Sequence, residues 1–203
     1  LTLIVAATTA RGIGKHGNLP WRLSAEMKYF ARVTTRTPSG SPANTKNAVI
    51  MGRKTWESIP PKFRPLKGRI NVVLSRSEDV LLTSSLKNAL LLLSKIGISG
   101  TQHSPSSSHE QKLNRAYVIG GSSVYNEALK LSQTRHVLLT KVYKDFDCDT
   151  FFPIDLEGET GKSDGWRRQT KKELEVFTGE DFGQSVERQS QGDVEFEFCL
   201  FSK

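Results

Sequence analysis

Cysteine is scarce in this 203-residue chain: Cys148 and Cys199 are the only two, and they form no C-x-x-C pair. That spacing excludes a zinc ribbon and a redox dithiol, and two buried, reduced thiols are expected instead. No apolar run approaches the roughly 20 residues that span a bilayer; the longest Leu-rich stretch is Ala89 to Leu93. No membrane partner is therefore expected. The chain has no N-x-[ST] sequon, and no secretory n-region precedes Leu3-Ile4-Val5-Ala6-Ala7. Both absences favour a reducing intracellular compartment, with the cytoplasm as the expected location and the mitochondrion also open. The start at Leu1 is read as the loss of a few natural N-terminal residues. Hydrophobic content of 36%, charged content of 25% and a mean hydropathy of −0.40 exclude disordered, collagen-like and disulfide-scaffold classes. The length fits one globular domain over residues 1–203.

Charge is present in excess and unevenly placed. The net charge is +8, but the first 154 residues carry +13 and the remainder −5. Between Arg53 and Arg76 seven basic residues (Arg53, Lys54, Lys62, Arg64, Lys67, Arg69, Arg76) stand beside one acid, Glu57. Such a stretch draws in an anionic ligand, either nucleic acid or a small polyanion. A basic nucleic-acid-binding module is the rival reading, but zinc-finger spacing, an RNP1-like aromatic pattern and Lys/Arg tracts are all missing. No nucleic-acid partner is expected.

Short apolar or β-branched runs alternate with helical patterns. Strands are expected at Thr2–Thr8, Ala48–Met51, Ile70–Leu74, Tyr117–Ile119 and Val137–Val142, and helices at Ser24–Val33, Lys54–Ser58, Ser85–Ile96 and Ser122–Leu131. The alternation implies an α/β fold with a mostly parallel sheet covered on both faces. Val194 to Leu200 alternates apolar and acidic residues before turning apolar, as a half-exposed antiparallel edge strand does. Thr35–Lys46, Ser99–Gln111 and Gly158–Gly165 are rich in turn formers and read as surface insertions. His103 and His109 in the second have no Cys or acidic partners, and no metal site is expected.

Gly12-Ile13-Gly14-Lys15-His16-Gly17 matches G-x-G-x-x-G, yet Pro20 bars the helix a dinucleotide fingerprint needs and no acid occurs from Lys28 to Met51. These glycines are read as a mobile loop of the lid type. Asp145-Phe146-Asp147-Cys148-Asp149 resembles the start of a calcium loop but has Thr150 and Leu156 where glycine and glutamate belong, so it reads as an acidic loop contacting a neighbour. On the helix from Ser24, the 100° period puts Leu23, Met27, Phe30, Ala31 and Thr34 on one face and Lys28, Tyr29 and Arg32 on the other. Glu26 falls on the apolar side, where a buried carboxylate needs a ligand or a partner; a rim glutamate capping the helix is the equal alternative from this pattern. Its titration is set by competition between burial and the helix N-terminus. Ile119-Gly120-Gly121-Ser122-Ser123-Val124-Tyr125 reads as strand, double glycine and helix, a backbone that admits a phosphate closely. Met51 to Trp56 offers a second cradle, and Leu74-Ser75-Arg76 ends a strand with a hydroxyl and a guanidinium where a 2′-phosphate fits better than a ribose hydroxyl.

Gly12–Trp21, Glu26–Phe30, Val49–Trp56, Ser58-Ile59-Pro60, Arg64–Arg69, Leu74–Arg76, Ile119–Gly121 and Asp149–Pro153 together resemble dihydrofolate reductase in order and spacing, with the length and inserts of fungal members. The match is weakest in the three insertions and from Gly158 to Gly192. The resemblance implies an eight-stranded, mostly parallel sheet with flanking helices and an antiparallel C-terminal strand pair. It implies hydride transfer from NADPH to C6 of dihydrofolate with protonation at N5, in support of one-carbon metabolism. A same-fold reductase of another pterin or of a flavin precursor is the nearer alternative.

By the same resemblance, Glu26 anchors the pterin and assists its protonation through water, Thr140 hydrogen-bonds that carboxylate, Trp21 holds a water, and Leu19 is counted with them among the catalytic residues. Ile4, Val5, Ala6, Met27, Phe30, Ile59, Leu66, Ile119 and Tyr125 form the substrate pocket, Arg69 pairs with the α-carboxylate of the glutamate tail, and Phe63 packs beside that tail. For NADPH, the implied residues are Ala6, Ile13, Gly14, Lys15, Gly17, Asn18 and Leu19 around the nicotinamide ribose. Gly52, Arg53, Lys54, Thr55 and Ile119 to Tyr125, including Ser122, Ser123 and Val124, would hold the pyrophosphate, and Leu74, Ser75, Arg76 and Ser77 the 2′-phosphate region. A cis bond is implied between Gly120 and Gly121. Antifolate inhibitors are expected in the same cleft, and a monomer is expected.

Overall fold

The structure, a computed structural model, describes residues 1–75, 82–98, 111–183 and 188–203. The strands are β1 (Thr2–Thr8), β2 (Gly12–Gly14), β3 (Thr45–Gly52), β4 (Arg69–Leu74), β5 (Leu82–Thr83), β6 (Lys112–Val118), β7 (His136–Val142), β8 (Thr150–Phe151), β9 (Arg167–Arg168), β10 (Arg188–Gln191) and β11 (Val194–Ser202). The helices are α1 (Ser24–Thr35), α2 (Arg53–Ser58), α3 (Leu86–Ile98), α4 (Ser122–Leu129), α5 (Glu159–Ser163) and α6 (Lys171–Thr178). Eight strands lie in the order β10-β11-β7-β1-β6-β3-β4-β5, with β9 added on β11. The pairs from β7 across to β5 are parallel, and β9, β10 and β11 are antiparallel. The expected mostly parallel sheet with an antiparallel C-terminal end is what the chain forms.

Alternation explains both covered faces. Leu3, Val5, Ala48, Ile50 and Val72 point to the face packed by Leu86, Ala89 and Leu93 of α3 and Val124 and Ala128 of α4. Their neighbours Ile4, Val49, Met51 and Val73 point the other way, against Tyr29 and Val33 of α1 and Leu174 of α6. Strands buried on both faces read as continuous apolar runs for this reason. Parallel strands share one C-terminal edge, so Ala6 to Thr8, Gly52, Leu74 and Ile119 reach the same rim. Open α/β sheets bind ligands at that rim, where successive connections depart in opposite directions. Here β1 lies between β6 and β7.

Several expectations need correction. The apolar face of α1 is split: Tyr29, assigned to the outward face, is 2% exposed, whereas Met27 is 50% exposed. Tyr29 stacks on Phe198 of β11 at 3.9 Å between ring centroids. The helix lies between core and cleft, so one stripe of the period serves each. The glycine loop after β1 forms β2, held antiparallel to β8. Gly158–Gly165 contains α5, whose Gly161 is buried so tightly that a Cβ there would lie 2.4 Å from the carbonyl oxygen of Asp155. Cys199 is buried as expected but Cys148 is only half-buried. The insertion Ser99–Gln111 falls almost entirely outside the described residues, as do Arg76 and Ser77.

Candidate active site

A cleft of about 1870 Å³ opens along the C-terminal rim of the sheet. Sites for one small molecule usually measure roughly 300–1,000 Å³. The volume suits two ligands side by side, and the lining falls into two chemically different ends.

At one end α1 supplies a wall of Met27, Phe30 and Ala31, facing Ile59, Phe63 and Leu66, with Ile4 and Val5 at the floor. Phe63 is 55% exposed at the mouth. Glu26 is the carboxylate of this apolar region. It is 6% exposed, lines the cleft, and has no hydrogen bond or ion pair with any described residue. Burial pushes its acid up to about 7, so desolvation prevails over the helix N-terminus that favours the anion. A partnerless buried carboxyl at the cleft floor is costly to a fold and useful to a ligand that brings N–H donors.

At the outer edge of the same end, Arg69 donates from Nη1 to Thr34 Oγ1 at 2.8 Å and from Nε to the Lys67 carbonyl at 3.1 Å. It stands 5.8 Å from the centre of the Phe30 ring. No described carboxylate reaches it, and burial lowers its acid below the ordinary guanidinium value. A half-desolvated guanidinium with no described acid beside it suits an anion.

The other end is built from backbone. Gly120–Gly121 is cis and Gly120 has φ +122°, a conformation an L side chain rarely adopts. The Gly120 carbonyl accepts from the Gly52 N–H at 2.8 Å. A Cβ on Gly120 would lie 3.4 Å from Tyr125 Oη and 3.5 Å from Thr55 Oγ1, filling the groove between α2 and α4. Both helices start here without a side-chain cap, at Gly52 and Gly121, leaving first-turn N–H groups for a phosphate. Arg53, Lys54 and Thr55 line the same groove, with Ser122, Ser123 and Val124 opposite and Leu74 and Ser75 beyond. Tyr125 fixes the arrangement by donating from Oη to the Ile4 carbonyl at 2.8 Å. This end fits a dinucleotide: close backbone, two helix N-termini and cations.

Between the ends, Ala6 and the segment from Ile13 to Leu19 cover the cleft. The acidic loop clamps that segment: Lys15 pairs with Asp147, and the His16 N–H donates to the Asp149 carboxylate at 2.8 Å. That N–H, with the Thr150 hydroxyl, holds the Asp149 acid below its ordinary range.

Residues 1–176 match the sequence profile of the family described as "Dihydrofolate reductase". The chain belongs to the dihydrofolate reductase family. It is 40% identical over 197 residues to the dihydrofolate reductase of Pneumocystis carinii, covering 97% of this chain and 94% of that one. It is 36% identical over 212 residues to the enzyme of Candida albicans, covering 99% and 95%. The solved dihydrofolate reductase of Schistosoma mansoni superposes with a TM-score of 0.71 at 31% identity, covering 99% of this chain and 96% of that one.

Most of the dihydrofolate reductase site residues expected from sequence line this one cleft: Ile4, Val5, Ala6, Glu26, Met27, Phe30, Ile59, Phe63, Leu66, Arg69, Ile119 and Tyr125, and Ile13, Gly14, Gly17, Asn18, Leu19, Gly52 to Thr55, Leu74, Ser75 and Gly120 to Val124. Three described ones do not. Lys15 turns to Asp147. Trp21 is buried against Phe146, Leu23, Val194 and Phe196, and its Nε1–H has no partner among the described residues. Thr140 is buried on β7 between Ala6 and Phe198, and no hydrogen bond joins it to Glu26. Among the lining residues that sequence reasoning missed are Glu57, Ser84, Ser85, Glu127, Asp149 and Thr150. Asp149 and Thr150 arrive through the pairing of β8 with β2, which no local pattern signals.

Proposed function

We propose that this chain is a one-domain, monomeric, cytoplasmic enzyme that reduces 7,8-dihydrofolate to 5,6,7,8-tetrahydrofolate with NADPH. The observation that carries the reading is Glu26, a partnerless buried carboxyl in the apolar end of a cleft whose other end suits a dinucleotide. The reduced nicotinamide, when bound, supplies the hydride that converts the C6=N5 bond, C6 taking the hydride and N5 a proton; the chemistry of that transfer is the cofactor's. The chain's own work is to align, to exclude water and to handle one proton.

Ionised Glu26 accepts from the pterin 2-amino group and N3–H, and its acid near neutrality suits relay of a proton through water toward N5. Met27, Phe30, Ile59 and Leu66 enclose the ring system and the benzoyl group, and Arg69 takes the carboxylate of the tail. The backbone at Gly120 and Gly121, with Arg53, Lys54 and Thr55, holds the pyrophosphate. NADPH is preferred over NADH on the strength of Ser75-Arg76-Ser77, which offers hydroxyls and a guanidinium to a 2′-phosphate. Antifolates with a protonated diamino ring would meet the same carboxylate.

The test is loss of absorbance at 340 nm with NADPH and dihydrofolate, with a Glu26→Gln control and NADH in parallel. Rapid oxidation that is lost in Glu26→Gln while NADPH binding persists is the expected result. Binding of NADPH without turnover of dihydrofolate would move the substrate to another pterin or a flavin precursor. Failure to bind NADPH, with salt-steep binding of nucleic acid, would replace the reading altogether.

A further inference from the structure

Helix α1, which carries Glu26, lacks an N-cap of its own. Leu23 occupies the cap position and offers no side-chain acceptor, so the first-turn N–H groups need a partner from elsewhere. Gln191 supplies it from the end of β10, 166 residues away. Its Oε1 accepts from the Ser24 hydroxyl at 3.0 Å and from the Ala25 N–H at 3.1 Å, and its Nε2 donates to the Arg22 carbonyl at 3.3 Å. One amide therefore holds Arg22, Ser24 and Ala25 around the cap position, the last of them adjacent to Glu26.

Gln191 is itself fixed. It pairs with Val194 across a hairpin closed by Gly192 and Asp193, and Gly192 takes φ +64°. Val194 packs with Trp21 and Leu23, the segment entering α1, and Asp193 pairs with Lys144. The hairpin grips the helix entrance by packing and by hydrogen bonding. Gln191 also lies beyond residues 1–176, the span matching the family profile. The geometry points to Gln191 as a positioning residue for the reaction: capping α1 in trans, it sets where Glu26 stands in the cleft.

This inference rests on the proposed role of Glu26, and its test separates the two. Gln191→Met keeps the bulk and removes all three hydrogen bonds. The loss of a helix cap changes an equilibrium by about fivefold, and kcat is expected to fall by about that factor at saturating NADPH, with a raised KM for dihydrofolate and an unchanged Kd for NADPH. The independent readout is the Glu26 carboxyl titration, followed by carbon NMR on the ligand-free chain. No charged side chain among the described residues lies within ion-pair distance of Glu26, and the titratable groups that sense it are Tyr29 on its own helix and Tyr125 on α4. Water entering a frayed first turn would therefore lower the midpoint from about 7 toward the ordinary carboxyl value. Gln191→Glu keeps an acceptor for Ser24 and Ala25, and is expected to restore kcat to within about twofold, as a cap should.

A Gln191→Met chain that loses thermal stability but keeps kcat, KM and the Glu26 midpoint would overturn the proposal, since Gln191 would then be structural only. If Gln191→Met fails to fold, Ser24→Ala removes one of the three bonds: a smaller shift in the same direction supports the proposal and an unchanged midpoint and kcat overturn it. If the wild-type chain does not turn over dihydrofolate, the functional reading fails, and the NMR midpoints still decide whether Gln191 positions Glu26.

Discussion

Glu26→Gln should make the ligand-free protein more stable at alkaline pH while abolishing most of its turnover. The folded chain holds the Glu26 acid at about 7 against an ordinary 4.5, through burial alone. Between those values the folded state keeps a proton that the unfolded state has released, so this group favours folding fully below pH 4.5. That contribution disappears as pH rises through 7. At 1.36 kcal/mol for each tenfold change in proton affinity, the interval amounts to roughly 3 kcal/mol above pH 8. Glutamine is nearly isosteric and stays neutral, so the variant escapes this penalty. For a chain of this size, where 1 kcal/mol moves Tm by about 2–4 °C, the variant should melt about 6–12 °C above wild type at pH 8.5 and together with it near pH 4.5. The assay is thermal or urea unfolding from pH 4.5 to 9 without ligands. Parallel curves for the two proteins across that range would refute the burial argument, and a variant less stable at every pH would show that Glu26 has a structural partner.

Arg69→Met should raise KM for dihydrofolate by about 10- to 100-fold, the value of a charge-assisted hydrogen bond pair, and leave Kd for NADPH unchanged; equal losses in both would place the guanidinium outside the substrate end. Arg76→Ala should weaken NADPH far more than NADH in a fluorescence titration, and an unchanged preference would refute the 2′-phosphate assignment. Gly120→Ala forces an L side chain to φ +122° and should cost about 1–3 kcal/mol of stability together with most cofactor affinity, read by unfolding and by NADPH titration. Gly161→Ala puts a Cβ 2.4 Å from a backbone oxygen and 2.6 Å from the Leu156 Cα; with no flexible atom to yield, about 3 kcal/mol or more should be lost in urea unfolding, with kcat of the surviving fraction unchanged.

The sheet was legible because two-sided burial writes itself as runs of apolar residues. Thr2–Thr8 is a strand over the expected bounds, and the alternation of Val194 to Leu200 announced an antiparallel strand, but not the half-exposed edge strand expected: β11 lies between β7 and β10, and Glu197 is 4% exposed because Arg168 and Tyr143 partner its carboxylate. What escaped was short and polar. Helix α6 is only eight residues long and half charged, too short a run to stand out, although Thr170 and Glu173 form a capping box and Gly179 ends the helix at φ +69°. Those two end signals would have found it. Helix α5 escaped because Gly-Glu-Thr-Gly reads as loop, and only the contact of Gly161 with the Asp155 and Leu156 backbone shows why glycine stands there.

The candidate site divides along the same line between local and distant information. The backbone proposed to hold phosphate is local, and Gly120-Gly121-Ser122 carried it in three letters. The role of a helix face is not local: α1 lies between the core and the cleft, and Met27 on its apolar face lines the cleft, while Tyr29 reads as outward although it stacks in the core. The chemistry resides in what folding leaves unsatisfied. Among the described residues Glu26 has no donor and Arg69 no carboxylate, and α2 and α4 begin without side-chain caps. A chain selected for stability alone would pair or remove these groups. Arranged along one cleft, they ask for N–H donors at the floor, a carboxylate at the mouth and phosphates at the far end, and a pterin with an acidic tail beside a dinucleotide meets all three demands at once.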